Sequence, residues 1–214
     1  MKNFLSVTLL SFGIPMITMG DEVRRTQHGN NNAYCHNDES VWFDWTLLGK
    51  QADVHRFVKL LIQRRRLRDL GPERQRMALT QLISQGIRGW HGVTLNQPDW
   101  SDNSHSIGLS AQLSGEDLLV YLIFNTYWEQ LEFEPPLLVN DKVFWHRWID
   151  TYLDSPQDIV EWQTAPAIPG SIYKAGPRSV VVLWANCSAP ADKETGYAFI
   201  RRPITTDSPV SGNL

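Results

Sequence analysis

Cysteine is scarce in this chain, and long hydrophobic runs are missing. The 214 residues include two cysteines, Cys35 and Cys187, which lie far apart in the sequence. This spacing predicts neither a disulfide framework nor a cysteine-based zinc site, and it favours a reducing compartment, so we expect a cytoplasmic protein. No apolar run reaches the roughly 18 residues that a membrane-spanning helix needs, and we expect no membrane partner.

Excess positive charge and catalytic signatures are missing as well. The net charge is −3, which gives no basic footprint for nucleic acid, so we expect no nucleic-acid partner. The chain has neither a Gly-x-Ser-x-Gly elbow nor a phosphate-binding glycine-rich loop, and we predict no cofactor. Metal-ligand residue types occur at His28, Cys35, His36 and Asp38, but their spacing matches no zinc pattern, so we predict no metal site.

The most informative feature that is present is a polar loop after an apolar run. Residues 14–19 are apolar, and residues 20–35 are rich in acidic, basic and amide side chains. Loops of this kind follow the strands of an α/β barrel and build its active site, and these side chains suit hydroxyl-rich ligands such as carbohydrate. The candidate substrate-binding residues are Asp21, Glu22, Arg24, Arg25, His28, Asn30, Asn31, Asn32 and Tyr34.

The three asparagines at 30–32 have a second interpretation. Asparagine-rich loops often hydrogen-bond to their own backbone in Asx turns, without any ligand. The sequence favours neither interpretation over the other. A ring for stacking on a sugar is available at Tyr34 or Trp42.

Catalytic carboxyl groups are not predicted in this chain. Retaining glycosidases place two carboxyl groups about 5–5.5 Å apart across the bond that breaks. Asp21 and Glu22 are adjacent, so on an extended segment they point to opposite sides, and the pair Asp38 and Glu39 fails for the same reason. Glu22 could pair with Asp44 across the loop, but nothing in the sequence selects that pair.

Helical spacing appears once, between residues 54 and 71. Apolar residues recur at i, i+3, i+4, i+7 and i+8, which predicts an amphipathic helix: Val54, Phe57, Val58, Leu61 and Ile62. The helix is expected to stop at Gly71 and Pro72. Arginines at 64–66 and 68 suit the negative end of the helix dipole, and we expect a solvated helix end there.

Short β-type runs separated by turn residues follow Pro72. They lie at 107–113, 118–124, 131–133, 143–149 and 179–185, which is the pattern of an antiparallel sandwich. The run 118–124 is apolar at every position before the final Asn125, so we expect this strand to be buried on both faces.

Several blocks of the sequence carry a family resemblance. They are 13–16, 20–22, 25–35, 42–45, 98–102, 124–125, 145–151 and 173–183. With these blocks the chain resembles the isoamylase-type glycogen and starch debranching enzymes of the α-amylase superfamily, over nearly its whole length. Residues 1–12 imitate a signal peptide, but the resemblance implies that they end the seventh barrel helix and that residues 14–19 form the eighth strand.

The resemblance implies a fold that is mainly β with some α. Residues 1–72 would be a remnant of the final βα unit of a (β/α)₈ barrel, with an active-site-type loop at 20–45 and the eighth barrel helix after it. Residues 73–89 would be a linker, 90–203 a C-terminal antiparallel β-sandwich, and 204–214 a flexible tail. A whole barrel takes about 250 residues, so most of it is missing from these 214.

The function that the resemblance implies is hydrolysis of α-1,6 branch linkages in α-glucans, without a cofactor. The nucleophile, the acid/base and the third essential carboxylate of the family lie on earlier strands, so we expect this chain alone to be inactive. Its expected partners are an α-glucan, bound weakly, and the missing barrel portion supplied in trans. The alternatives are a glucan-binding module that uses Trp100, Trp128 or Trp145, and an interaction subunit that completes a split barrel.

Overall fold

The computed structural model of the chain describes residues 1–11, 13–69, 87–112, 118–138 and 143–186. Several predictions fall on other residues: the stop at Gly71 and Pro72, most of the linker at 73–89, and the tail at 204–214. Cys187 also lies outside the described residues.

Helices occupy the first third of the chain. Helix α1 spans Lys2–Leu10, a short 3₁₀ turn spans Asp21–Val23, and helices α2 and α3 span Leu47–Lys50 and Ala52–Asp69. Helix α3 confirms the predicted amphipathic helix, because four of its five predicted apolar residues are buried: Val54, Phe57, Val58 and Leu61. The fifth, Ile62, is exposed at the edge of the buried face.

Two antiparallel sheets follow the helices. The five-stranded sheet has the order β1-β2-β3-β7-β5 and the two-stranded sheet pairs β4 with β6. The strand bounds are as follows: β1 Ile87–His91, β2 Ser106–Gln112, β3 Leu118–Asn125, β4 Leu131–Phe133, β5 His146–Asp150, β6 Tyr173–Ala175 and β7 Ser179–Asn186. Five of these confirm the predicted β runs to within a few residues at each end.

Strands β1 and β6 were not predicted, and β1 begins inside the segment predicted as a linker. Strand β1 contains Arg88 and Gly89 and has no alternating apolar pattern. Its glycine is required by packing, because a Cβ there would lie 2.8 Å from Oγ of Ser110 on β2. Strand β6 is three residues long, too short to show a period.

The five-stranded sheet is covered on both faces, but unequally. On one face Leu119, Tyr121 and Ile123 of β3 are buried against Phe133 of β4 and Tyr173 of β6. On the other face Val120, Leu122 and Phe124 are half-buried beneath the helices. The second face also carries a cavity of about 290 Å³, lined by Leu9, Leu10 and Arg64 of the helices and by Val120 and Leu122. The predicted burial of β3 on both faces is therefore confirmed fully for one face and partly for the other.

Charged side chains fix the helices to the sheet. The carboxylate of Asp158 is fully buried, lies 2.7 Å from Nζ of Lys2 and bonds to Arg56 of α3. Arg65 donates to the carbonyls of Leu9 and Ser11, both at 2.8 Å, and so caps the end of α1. The guanidinium of Arg64 lies 4.0 Å from the ring centre of Trp162. The predicted solvated helix end is therefore wrong for Arg64 and Arg65, which hold other elements in place.

The segment 14–19 forms no strand, which corrects the predicted eighth barrel strand. Ile14 is 98% exposed and Met16 is 90% exposed. A parallel barrel strand receives hydrogen bonds from strands on both sides, and within the described residues no strand lies beside this segment. Its sequence is apolar enough for a strand, but no partner strand for it lies among the described residues.

Candidate functional site

The loop at 20–45 begins with two carboxylates that bond to nearby backbone. Oδ2 of Asp21 accepts from the amide of Thr18 at 2.8 Å, and Oε2 of Glu22 accepts from the amide of Gly20 at 2.9 Å. Gly20 has φ +102°, and a Cβ there would lie 2.6 Å from Cβ of Arg25, so only glycine fits. Both carboxylates therefore shape the entry of the loop.

The basic residues of the loop divide into one packed side chain and two exposed ones. Arg25 lies against Gly20 and donates to the carbonyl of Val41 at 3.4 Å, which ties the start of the loop to its end. Arg24 and His28 are exposed and have left-handed backbone angles, with φ 56° and 52°. The structure thus brings Arg25 inward and leaves Arg24 and His28 facing solvent.

The asparagines form Asx turns. Oδ1 of Asn30 accepts from the amide of Asn32 at 2.9 Å, and Oδ1 of Asn32 accepts from the amide of Tyr34 at 3.1 Å. Asn31 is exposed, and the ring of Tyr34 is 82% exposed. The Asx interpretation is therefore confirmed for Asn30 and Asn32. Their amide NH₂ groups are still donors, so a glucan contact at this loop stays a prediction.

Two further acidic residues of the loop, Asp38 and Asp44, also bond locally. Oδ1 of Asp44 accepts from the hydroxyl of Thr46 at 2.6 Å, and that hydrogen bond lowers the pKa of Asp44. Hydrogen bonds from Ser40 lower the pKa of Asp38 in the same way, and its Oδ2 lies 3.5 Å from Nδ1 of His36. Across the described ranges, no three His, Cys, Asp or Glu side chains converge in a way that could hold a metal ion.

One buried Ser–His pair has the residue types of a nucleophilic site, but the hydrogen bond between the two side chains runs in the opposite direction. Nδ1 of His91 accepts from the amide of Asn96 at 3.0 Å, so in the neutral ring Nε2 carries the hydrogen. Nε2 then donates to Oγ of Ser110 at 2.8 Å, whereas a catalytic histidine accepts the serine's proton. Burial lowers the pKa of His91, which keeps the ring neutral. The pair is therefore structural.

A second polar and aromatic surface lies at one end of the five-stranded sheet. We call it the aromatic patch and define it as Trp90, Trp100, His105, Tyr127 and Trp128. The rings of Trp90 and Trp100 are 5.7 Å apart, and those of Tyr127 and Trp128 are 4.1 Å apart. His105 lies 6.1 Å and 6.2 Å from the second pair. Trp100 and Trp128 are among the tryptophans predicted to contact a glucan, whereas the other three members of the patch were not predicted.

The third tryptophan named from the sequence is not on this surface. Trp145 is buried between the two sheets, and its Nε1–H donates to the carbonyl of Pro136 at 3.0 Å. Its role is in the core, so the expectation that Trp145 contacts a glucan is wrong.

Relatives of known name are debranching enzymes. The chain is 31% identical to isoamylase SU1 of Zea mays over 163 residues, which is 75% of this chain and 19% of the relative. It is 33% identical to isoamylase 3 of Oryza sativa over 192 residues, 86% of this chain and 22% of the relative. The chain is a homologue of the isoamylase-type debranching enzymes. No protein-family model matches the chain.

One shorter sequence match and one structural likeness accompany these relatives. A glycogen operon protein GlgX homologue of Mycobacterium tuberculosis is 48% identical over 59 residues, 28% of this chain and 8% of that protein. A pullulanase from Bacillus acidopullulyticus has a similar fold, with a TM-score of 0.59 and 17% identity over 84% of this chain and 19% of the pullulanase. The chain thus spans about a fifth of the length of the isoamylases it matches. Among its described helices, none is long and apolar enough to cross a membrane.

Proposed function

We propose that the chain is the C-terminal part of a glycogen- or starch-debranching glycoside hydrolase. In this proposal residues 1–72 are the remnant of the final βα unit of the barrel, 73–89 the linker, 90–203 the β-sandwich and 204–214 a tail. The packing of α1 and α3 on an antiparallel sheet supports it, because a barrel helix pair would meet an accessory β domain in this way. The coverage of about a fifth of the matched isoamylases supports it too.

The observation that carries the proposal is an open groove between the segment 14–19 and helix α3. The α3 groove is an open depression of about 1110 Å³, lined by Ile17 and Met19 on one side and by Val58, Lys59 and Ile62 on the other. Polar side chains, among them His55, Gln63 and Arg66, share the lining with these apolar ones, and the apolar part continues into the exposed segment 14–19. The groove and the exposed segment 14–19 together are where neighbouring barrel strands would pack.

The intact enzyme would hydrolyse α-1,6 branch linkages of an α-glucan with two carboxyl groups from other barrel strands. Asp21 and Glu22 hold backbone amides of their own loop, which does not leave them placed as a pair across one bond. The isolated chain is therefore proposed to be inactive. General acid–base catalysis alone contributes about 10²–10⁴ in rate. The loop at 20–45 would contribute glucan contacts. A cytoplasmic location stays a prediction, because the names of the plant relatives include the word chloroplastic.

Reconstitution tests this proposal. The chain is mixed or co-expressed with the barrel portion of a bacterial relative cut before the equivalent of this segment, and release of reducing ends from a branched α-glucan is measured. We expect activity with both pieces and none with either alone. Met16→Asp should abolish it because the charge falls on the exposed apolar segment, whereas Lys174→Asp, on the two-stranded sheet, should not.

Two outcomes would contradict the proposal. Hydrolysis by the 214-residue chain alone would show that it holds catalytic carboxyl groups that we did not identify. Failure of the two wild-type pieces to form a complex, although each is folded by circular dichroism, would show that the α3 groove is not a barrel interface.

A second function, α-glucan binding without catalysis, is favoured by one observation. The aromatic patch exposes two tryptophans that pack against other aromatic rings, 65% exposed at Trp100 and 59% exposed at Trp128. This surface lies on the proposed sandwich and not on the barrel remnant.

A further inference from the structure

The aromatic patch is continuous, because a shallow pocket joins its two ring pairs. The pocket has a volume of about 300 Å³ and is lined by Trp100 and His105, with Asp99, Ser104 and Thr126 beside them. Trp100 contacts Trp90 on one side, and His105 contacts the rings of Tyr127 and Trp128 on the other. Flat apolar faces and polar groups thus alternate along one surface.

The loop that carries Trp100 is held in place by hydrogen bonds at several points. Nδ1 of His91 accepts from the amide of Asn96 at 3.0 Å, and a carboxylate oxygen of Glu134 accepts from the amide of Leu95 at 3.0 Å. Asp99 accepts from the amide of Ser101 at 2.9 Å, immediately beside Trp100. The loop is therefore ordered before any ligand arrives, which lowers the entropic cost of binding.

The far side of the pocket is held equally firmly. The carbonyl of His105 accepts from both the amide and the hydroxyl of Thr126, at 2.9 Å and 2.7 Å. Nδ1 of His105 lies 2.5 Å from the carbonyl of Asn103, so Nδ1 carries the hydrogen. In the neutral ring Nε2 is then an acceptor, which suits a hydroxyl donor.

Alternating ring faces and hydroxyl-seeking groups are the chemistry of carbohydrate recognition. The face of a pyranose that bears C–H bonds packs on a flat aromatic ring, while its hydroxyls bond to carboxylate, hydroxyl and imidazole groups at the edge. The hydrogen bonds from Ser101 lower the pKa of Asp99, so its carboxylate is an anionic acceptor at neutral pH. The two ring pairs on either side of the pocket suit a chain of several sugars better than a single one.

A series of contacts connects the patch to the start of α3. The carbonyl of Tyr127 accepts from the amide of Arg178 at 2.9 Å, and the carbonyl of Arg178 accepts from Nδ2 of Asn3 at 2.7 Å. Lys2, one residue earlier, pairs with Asp53 in the first turn of α3 at 2.8 Å. These contacts therefore connect the patch, through the start of α1, to the first turn of α3.

We propose that the aromatic patch binds a linear α-1,4-linked glucan chain. The choice of an α-glucan rests on the proposed function, whereas the choice of a sugar rests on the patch itself. In this proposal the main contacts are the rings of Trp100 and Trp128, with Asp99 and His105 bonding to hydroxyls.

Calorimetric titration of the whole 214-residue chain with maltoheptaose tests the proposal. We expect binding at millimolar concentrations, weakened about tenfold or more in the double variant Trp100→Ala/Trp128→Ala, since two stacking faces are lost. The matched control is Phe4→Ala/Phe144→Ala, which removes two exposed rings that lie outside both the aromatic patch and the loop at 20–45, and it should leave the affinity unchanged. Cellohexaose, which is β-linked, should bind at least tenfold more weakly than maltoheptaose.

A measurement on the wild-type chain supports the titration even if a variant fails to fold. The indole N–H resonances of Trp100 and Trp128 should shift with maltoheptaose, while that of the buried Trp145 should not. Absence of heat and of indole shifts at millimolar maltoheptaose would overturn the proposal. So would a loss of binding in the Phe4→Ala/Phe144→Ala control as large as in the patch variant, or equal binding of cellohexaose. None of these results bears on the reconstitution assay, so the two proposals fail independently.

Discussion

Replacing Asp158 by asparagine tests how the helices are held on the sheet. The side chain of Asp158 has no solvent exposure and lies between Lys2 of α1 and Arg56 of α3. It also accepts from the amide of Ile159 at 3.0 Å, while Arg56 donates to the carbonyl of Ile159 at 2.8 Å. One carboxylate therefore joins both helices to the segment that follows β5.

The expected loss of unfolding free energy follows from the composition of this cluster, in which one carboxylate serves two cations. Asparagine keeps the shape of the side chain but removes the charge, which leaves Lys2 and Arg56 without their buried partner. Breaking a buried pair costs about 3–5 kcal/mol. Lys2 is 19% exposed, and Arg56 also reaches solvent, so both keep some hydration, and we expect a loss of about 3 kcal/mol, at the lower end of that range. Burial by itself would lower the pKa of Lys2, but the hydrogen bonds to Asp158 and Asp53 and their negative charges have a larger effect, so the pKa is raised overall.

Urea unfolding of the wild type and of Asp158→Asn measures this loss. We expect a lower midpoint at an unchanged m-value, and a melting temperature lower by about 6–12 °C for a chain of this size. The control is Asp53→Asn, which removes the other carboxylate on Lys2. The Asp53 side chain is 42% exposed, so its ion pair should contribute about 0–1 kcal/mol. Equal losses in the two variants, or a loss under 1 kcal/mol for Asp158→Asn, would refute the argument that burial makes Asp158 the dominant partner.

Two further predictions concern the sheet. Burial raises the pKa of Asp150, despite the hydrogen bond that its Oδ2 accepts from the hydroxyl of Tyr173 at 2.6 Å. Because the folded state then binds the proton more tightly than the unfolded one, this carboxyl loses stabilising effect as pH rises above its unfolded pKa of about 3.9. The unfolding free energy of Asp150→Asn should therefore rise relative to wild type between about pH 4 and pH 7, and a constant difference would contradict this. Gly92→Ala should destabilise the chain by about 1–3 kcal/mol and weaken maltoheptaose binding, since the new Cβ would lie 2.2 Å from the carbonyl oxygen of Gln97. Gly49→Ala, which meets nothing within 4 Å, is the control, and equal melting temperatures for the two variants would refute this explanation.

The elements that sequence analysis predicted are those whose burial is periodic. Helix α3 was predicted because Val54, Phe57 and Leu61 recur at helical spacing. All three pack into one core, so the spacing in the sequence follows from the packing. Strand β3 was predicted because its residues are apolar on both faces. Strand β1 was not predicted because its residue types suit specific neighbours. Its glycine lies opposite Ser110 and its histidine bonds to Asn96, and such residues do not alternate between apolar and polar.

The candidate site shows a different limit of sequence reasoning. Residue types located the polar loop, but they did not determine where each side chain points. Asn30 and Asn32 turn their oxygens toward the backbone because the turn supplies amides two residues later. Likewise, Trp100 and Trp145 are the same residue type, but Trp100 is exposed, whereas Trp145 is buried and donates its Nε1–H to the carbonyl of Pro136.

Residues 14–19 show why a correct family resemblance can predict a wrong local structure. A strand in a closed barrel is stabilised by hydrogen bonds and side-chain contacts from neighbouring strands, and an apolar sequence alone supplies neither. Ile14 and Met16 have the composition of a buried strand but are almost fully exposed, and the segment instead lies along α3 at the edge of the α3 groove. On the proposed function, the conformation of this segment therefore depends on barrel strands that would pack beside it. It follows that the barrel portion, when it binds in the reconstitution experiment, should convert residues 14–19 from an exposed, rapidly exchanging segment into a protected strand.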